Sequence, residues 1–204
     1  MSIWPHGLLL LFAQEGLFFA WLRDTLKNTL VLDILLVKSR DFFGPEHLVV
    51  LDEAVKASEE LVTDYFDLSS RNWLRHPYEV CTLREASESE HPGNALAHLV
   101  RYAKKFEEKS RGADSQVLYK IFLNDQKILN HVLVRQGVSI YAVLVYVISH
   151  ELVHIVRFST FCVHPELGEK EREERKVHSL TNDILINTPI KGIMSVLDYF
   201  KPEA

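Results

Sequence analysis

Residues 143–156 read VLVYVISHELVHIV, and most of what the chain must become follows from that run. It is apolar nearly all round, as a helix enclosed by protein on every side has to be. Ser139, two places after Gly137, can cap it, and the helical pattern continues without a breaker from 140 to about 158. Three ionisable side chains interrupt the apolar surface: His150, Glu151 and His154. Groups of that kind are costly in a helix interior unless something satisfies them. The two histidines stand four residues apart, one turn along the same face, where both imidazoles can grip one cation. Glu151, beside the first, can then reach a water held by that cation. Residue frequencies alone would yield an HExxH in roughly one such chain in twenty, so the buried setting carries the weight. The competing reading is a pair of core histidines bonded to backbone or carboxylates.

Two imidazoles leave a zinc-type site short of one protein ligand, with a fourth position for water. The continuation HExxHxxGxxH is absent, because Arg157 stands at the glycine place and Thr160 at that of the third histidine. Residues 165–181 read instead as a second helix, with Pro165 near its start and apolar Val177, Leu180, Ile184 and Leu185 on one side. Most of its charges form a solvated face with i,i+4 pairs, such as Glu171 with Arg175. Glu173 and Glu174 both border the apolar stripe, whereas Glu171 points elsewhere. Either could supply the missing carboxylate.

The flanks of the motif resemble the extended signature of the zincin metallopeptidases. That signature wants Val or Thr three places before the first histidine, uncharged neighbours and a hydrophobic close, and Val147, Ile148, Leu152, Val153, Ile155 and Val156 comply. Within the zincins the chain is most similar to the gluzincins, whose third ligand is a glutamate on a later helix, often followed by an ExxAD-like pattern. The segment Glu174-Arg175-Lys176-Val177-His178 has that shape, with Val177 for alanine and His178 where the aspartate would stand. The resemblance, limited to residues 143–185, implies His150, His154 and Glu174 around Zn²⁺, with Glu173 the alternative third ligand. It also implies Glu151 as general base in peptide-bond hydrolysis. His178 is then a candidate for the second shell, for the substrate oxyanion, or for a fourth ligand that would close the site. Tyr146 and Tyr119 are further oxyanion candidates. The implied fold is mainly α (α+β): a zincin-like helical core with the HExxH helix, a glutamate-bearing helix after it and a small β element upstream. In zincins an edge strand ahead of the HExxH helix pairs with the bound peptide, and 117–123 (VLYKIFL) occupies that place by chain order.

At 204 residues and 47% hydrophobic, the chain can bury one sizeable core. A net charge of -5 argues against a nucleic-acid surface. Cys81 and Cys162 are the only cysteines, too few and too far apart for a disulfide framework, so a reducing, cytoplasmic setting is expected. The apolar stretch 8–22 has no preceding basic residue and is interrupted at Gln14 and Glu15. A packed helical segment over 1–40 is expected there, in preference to a signal peptide or membrane contact.

A single domain over 1–204 is anticipated, with the metallopeptidase-like core in 117–187. Helices are expected at 7–37, at 45–65 after the Gly44-Pro45 turn, at 95–109, from Asn124 or Asp125 to about 136, and at 190–200. Strands are expected at 79–83 and 117–123, with 68–83 otherwise loop and 84–94 a polar mobile loop. A peptide or protein substrate is the partner these features imply. Two other outcomes stay open: a non-catalytic helical protein with a structural zinc site, and an interaction module whose HExxH is fortuitous.

Overall fold

A computed structural model describes residues 42–69, 71–103, 117–134, 138–159, 161 and 169–201. The expected 1–40 helical segment, Cys162, Pro165 and residues 104–109 lie outside the described residues. Those described fall within one unit, Phe42–Ala204. The architecture is mainly helical with a small three-stranded sheet. In chain order it comprises α1 (Pro45–Tyr65), α2 (Asn72–Arg75), β1 (Tyr78–Cys81), a 3₁₀ turn (Leu83–Glu85), β2 (Ala97–Ala103), β3 (Val117–Leu123), α3 (Asp125–Val134), α4 (Ile140–Ser159), α5 (Lys170–Leu185) and α6 (Ile193–Tyr199).

The HExxH helix α4 is the axis on which the rest is hung. Every residue from Ala142 to Val156 is buried. Such a helix is long and apolar enough to cross a bilayer, but 83% of its apolar window is enclosed by the protein itself. Helix α1 makes its most extensive packing, and α3, α5, α6, β2 and β3 cover the remaining sides. The close approach of α1 has a local cause. Its inward face carries Leu51, Ala54, Ser58 and Val62, and the small Ala54 and Ser58 bring the two backbones together. The Ser58 hydroxyl donates to the Val145 carbonyl at 3.2 Å, so the one polar group on that face is satisfied. At the start of α4, Ser139 Oγ accepts from the Ala142 N–H at 3.1 Å, the expected cap.

Strand β3 lies at the centre of the sheet, in the order β1-β3-β2. It runs parallel to β1 from Tyr78↔Tyr119 to Cys81↔Phe122. It runs antiparallel to β2 from Ala97↔Leu123 to Ala103↔Val117. Two expectations are corrected here. Residues 97–103 form a strand, not part of a helix over 95–109. Their apolar positions suit either period, and pairing along the whole of β3 decides the matter because it gives both strands' backbone groups partners. As a consequence 117–123 is the central strand, and β2 is the edge that faces the HExxH helix.

The segment after β1 is tied down by one acidic side chain. Asp125, fully buried at the first turn of α3, accepts from the Phe43 N–H at 3.0 Å and from the Leu83 N–H at 3.1 Å. It joins the entry to α1, the end of β1 and the start of α3. Burial nevertheless raises its pKa, against the hydrogen bonds that lower it. Asp125→Ala would leave the buried Phe43 N–H and the part-buried Leu83 N–H without acceptors, and urea unfolding should show a loss of about 3 kcal/mol.

Candidate metal centre

Helix α5 delivers the acidic partner of the histidines. Its buried residues, Glu173, Val177, Leu180, Thr181, Ile184 and Leu185, form the stripe that packs on the core. Glu174 sits at the border of this stripe in the opening turns, where the helix dipole favours a carboxylate. From there its two oxygens meet the two imidazoles of α4. Oε2 lies 3.3 Å from His150 Nε2 and Oε1 lies 3.2 Å from His154 Nε2. Glu173, one residue earlier, is turned roughly 100° around the helix and goes elsewhere. It takes Arg157 Nε at 2.5 Å and Nη2 at 2.7 Å in a bidentate pair.

His178, one turn beyond Glu174, completes the cluster. His150, Glu174 and His178 each offer a ligand atom within 4.8 Å of the others', so the group could hold a metal ion. The His178 ring lies 4.5 Å from that of His150, and the His150 ring lies 4.9 Å from that of His154. His178 Nδ1 is 2.7 Å from the Tyr146 hydroxyl, which comes from α4 one turn before His150. Nδ1 of His150 and Nδ1 of His154 are buried without a hydrogen-bond partner among the described residues. Metal-binding histidines usually have an acceptor at that nitrogen, so this part of the outer shell is sparse.

The electrostatics follow from burial and from the shared carboxylate. Burial pulls His150 down to about 4, outweighing the hydrogen bond to Glu174. Burial pushes His154 the same way, but Glu174 and Glu151 more than offset it and its pKa is raised. The two imidazoles hold Glu174 well below the usual carboxylate range. Burial lowers His178, opposed by Glu174. Glu151, only 8% exposed, is pushed up to about 7 by burial.

These side chains open into a cleft of about 860 Å³. One wall is the edge strand, with Ala97, His98 and Leu99; the others carry Tyr146, Val147, His150, Glu151, His154, Phe158, Glu174, His178 and Phe200. Tyr119 is buried in β3 and is not among the lining residues. Cys81 is a buried free thiol in β1. No ion pair joins Glu171 to Arg175 among the described residues, although the spacing permits one.

The donor set fits a divalent ion. His150, Glu174 and His178 lie close enough together to share a metal ion, and His154 meets Glu174 through the carboxylate's other oxygen. Imidazoles and a carboxylate are ligands that several divalent metals share. The structure thus brings His150, His154, Glu174 and His178 together with Glu151 at their side, and it assigns Glu173 to another bond. Sequence reasoning missed the Arg157–Glu173 pair and the edge strand β2. The first had a faint signal, a lone cation in the last turn of an otherwise apolar helix. Arg157→Ala would leave the Glu173 carboxylate buried and unpaired, and thermal or urea unfolding should register a loss of about 3 kcal/mol. No protein-family model, no curated protein and no solved structure matches the chain.

Proposed function

We propose that this protein is a zinc-dependent metallopeptidase in which His150, His154 and Glu174 hold the ion and Glu151 is the general base. One observation carries it: both imidazoles of a buried HExxH converge on the two oxygens of one carboxylate from the following helix. Once bound, the ion would supply Lewis acidity, lowering the pKa of a coordinated water and polarising the scissile carbonyl. Glu151 lines the same cleft, and burial holds its pKa near neutrality, suited to taking a proton from water and giving one to the leaving amine. Among the described residues β2 is an edge strand and forms a wall of the cleft, where an extended peptide could add as a further strand. Phe158 and Val147 supply apolar surface for its side chains.

A closed, structural metal site is the second reading, favoured by the nearness of His178 to His150 and Glu174. Zinc analysis of the purified protein combined with a screen of mixed peptides tests both. The expected result is one zinc per chain and cleavage that His154→Ala abolishes together with the metal. Zinc without any cleavage would favour the structural site, and no zinc at all would sink both readings.

A further inference from the structure

We propose that the Tyr146 hydroxyl donates to His178 Nδ1 and thereby holds this imidazole as its Nε2–H tautomer. His178 is then a hydrogen-bond donor to the substrate's carbonyl oxygen, and not a fourth ligand of the metal. The inference rests on the metallopeptidase reading above and assigns a residue which that reading leaves without a role.

A neutral imidazole has one donor and one acceptor nitrogen, and the bond at one fixes the chemistry of the other. The contact to Tyr146 is therefore a switch between two kinds of His178. If Nδ1 carries the proton, Nε2 has a free lone pair and can bind a cation. If the phenol supplies the proton, Nε2 is N–H and cannot.

Three observations select the second arrangement. First, the 2.7 Å separation puts the Tyr146 hydroxyl and His178 Nδ1 in direct hydrogen-bond contact. Second, the Tyr146 hydroxyl has no other hydrogen-bond partner among the described residues, and Tyr146 is only 2% exposed. Were Nδ1 the donor, the phenolic hydrogen would be left without an acceptor among the described residues. Third, Tyr146 is not free to turn away. Phe200 stacks on its ring at 4.6 Å and 10°, and the His178 ring stacks at 6.3 Å and 28°. Tyr146 is thus a positioning residue clamped by Phe200, the residue that caps the end of α6.

The contrast with the other two histidines points the same way. His150 and His154 direct Nε2 at Glu174 and leave Nδ1 unpartnered, while His178 commits Nδ1 to a donor. What remains on His178 is an N–H on a ring that lines the cleft and lies 4.5 Å from the His150 ring. A preorganised donor there meets the negative charge that develops on a carbonyl oxygen under attack.

Long-range ¹H–¹⁵N spectra of the histidine rings, recorded without and with zinc, test this directly. His178 is assigned by comparison with His178→Gln. The expected result is an Nε2–H ring at His178 in both states, and a redistribution of tautomers in Tyr146→Phe, which removes only the hydroxyl. His178→Gln should keep zinc affinity within about threefold, while kcat on a cleaved peptide falls on the order of 100-fold with KM little changed. Loss of the Nε2 proton on adding zinc, or zinc binding weakened tenfold or more in His178→Gln, would make His178 a ligand and overturn the inference. An Nδ1–H ring in the metal-free protein would also overturn it, because the hydroxyl would then be the acceptor. These outcomes leave the metallopeptidase reading standing; failure of the wild-type protein to bind zinc removes that reading and this inference with it.

Discussion

Glu151→Gln should keep one zinc per chain and lose hydrolysis by on the order of 10³-fold in kcat, the range in which general bases contribute. The amide is nearly isosteric with the carboxylate, so packing around α4 is preserved and the fold should survive. Glu151 is buried in the wall of the cleft, and the contacts between the two imidazoles and Glu174 are made without it. The change therefore removes the proposed proton acceptor and leaves the proposed metal ligands intact. Retention of activity with the metal bound would eliminate Glu151 as base while sparing the metal site. Stability should, if anything, rise slightly: a buried ionised carboxylate is replaced by a neutral group, and burial already pushes the Glu151 pKa up to about 7.

The elements with strong local signals were legible from the residues. Gly44-Pro45 punctuates the start of α1, and the observed helix, Pro45–Tyr65, has the expected bounds. Strand β3 occupies 117–123 as anticipated, and α4 begins after its Ser139 cap. Where two periods fit equally, the sequence was silent. Residues 97–103 contain apolar positions compatible with either helix or strand, and only pairing with β3 selects the strand. The site divides along the same line. That His150 and His154 share one helix face depends on spacing within one helix, so it can be read locally. The choice between Glu174 and Glu173 depends on how α5 crosses α4, which no local pattern encodes. Arg157 shows why: its place in the chain marks only the lack of a metzincin glycine, yet in three dimensions it captures Glu173.

That capture makes adjacent glutamates behave oppositely, and the largest effect on metal binding is expected from the pair. Glu174→Ala removes the carboxylate that both imidazoles share, and zinc affinity should fall well beyond the roughly 100-fold typical of losing an outer-shell partner. Its side chain is 52% exposed, so the fold should lose little. Glu173→Ala strands the Arg157 guanidinium in a mostly buried position, where the side chain is 16% exposed. Unfolding stability should drop by about 2–4 kcal/mol, while zinc affinity changes by only a few-fold. Competition with a chromogenic chelator reads the affinities, and urea unfolding of the metal-free proteins reads the stabilities without the contribution that bound ligand would add. Measuring stability in the metal-free state matters, because otherwise Glu174→Ala would look destabilising merely through loss of linked zinc binding. If Glu173→Ala alone lost the metal, the carboxylate would have to leave Arg157 on binding zinc, and the assignment of ligands would pass from Glu174 to its neighbour.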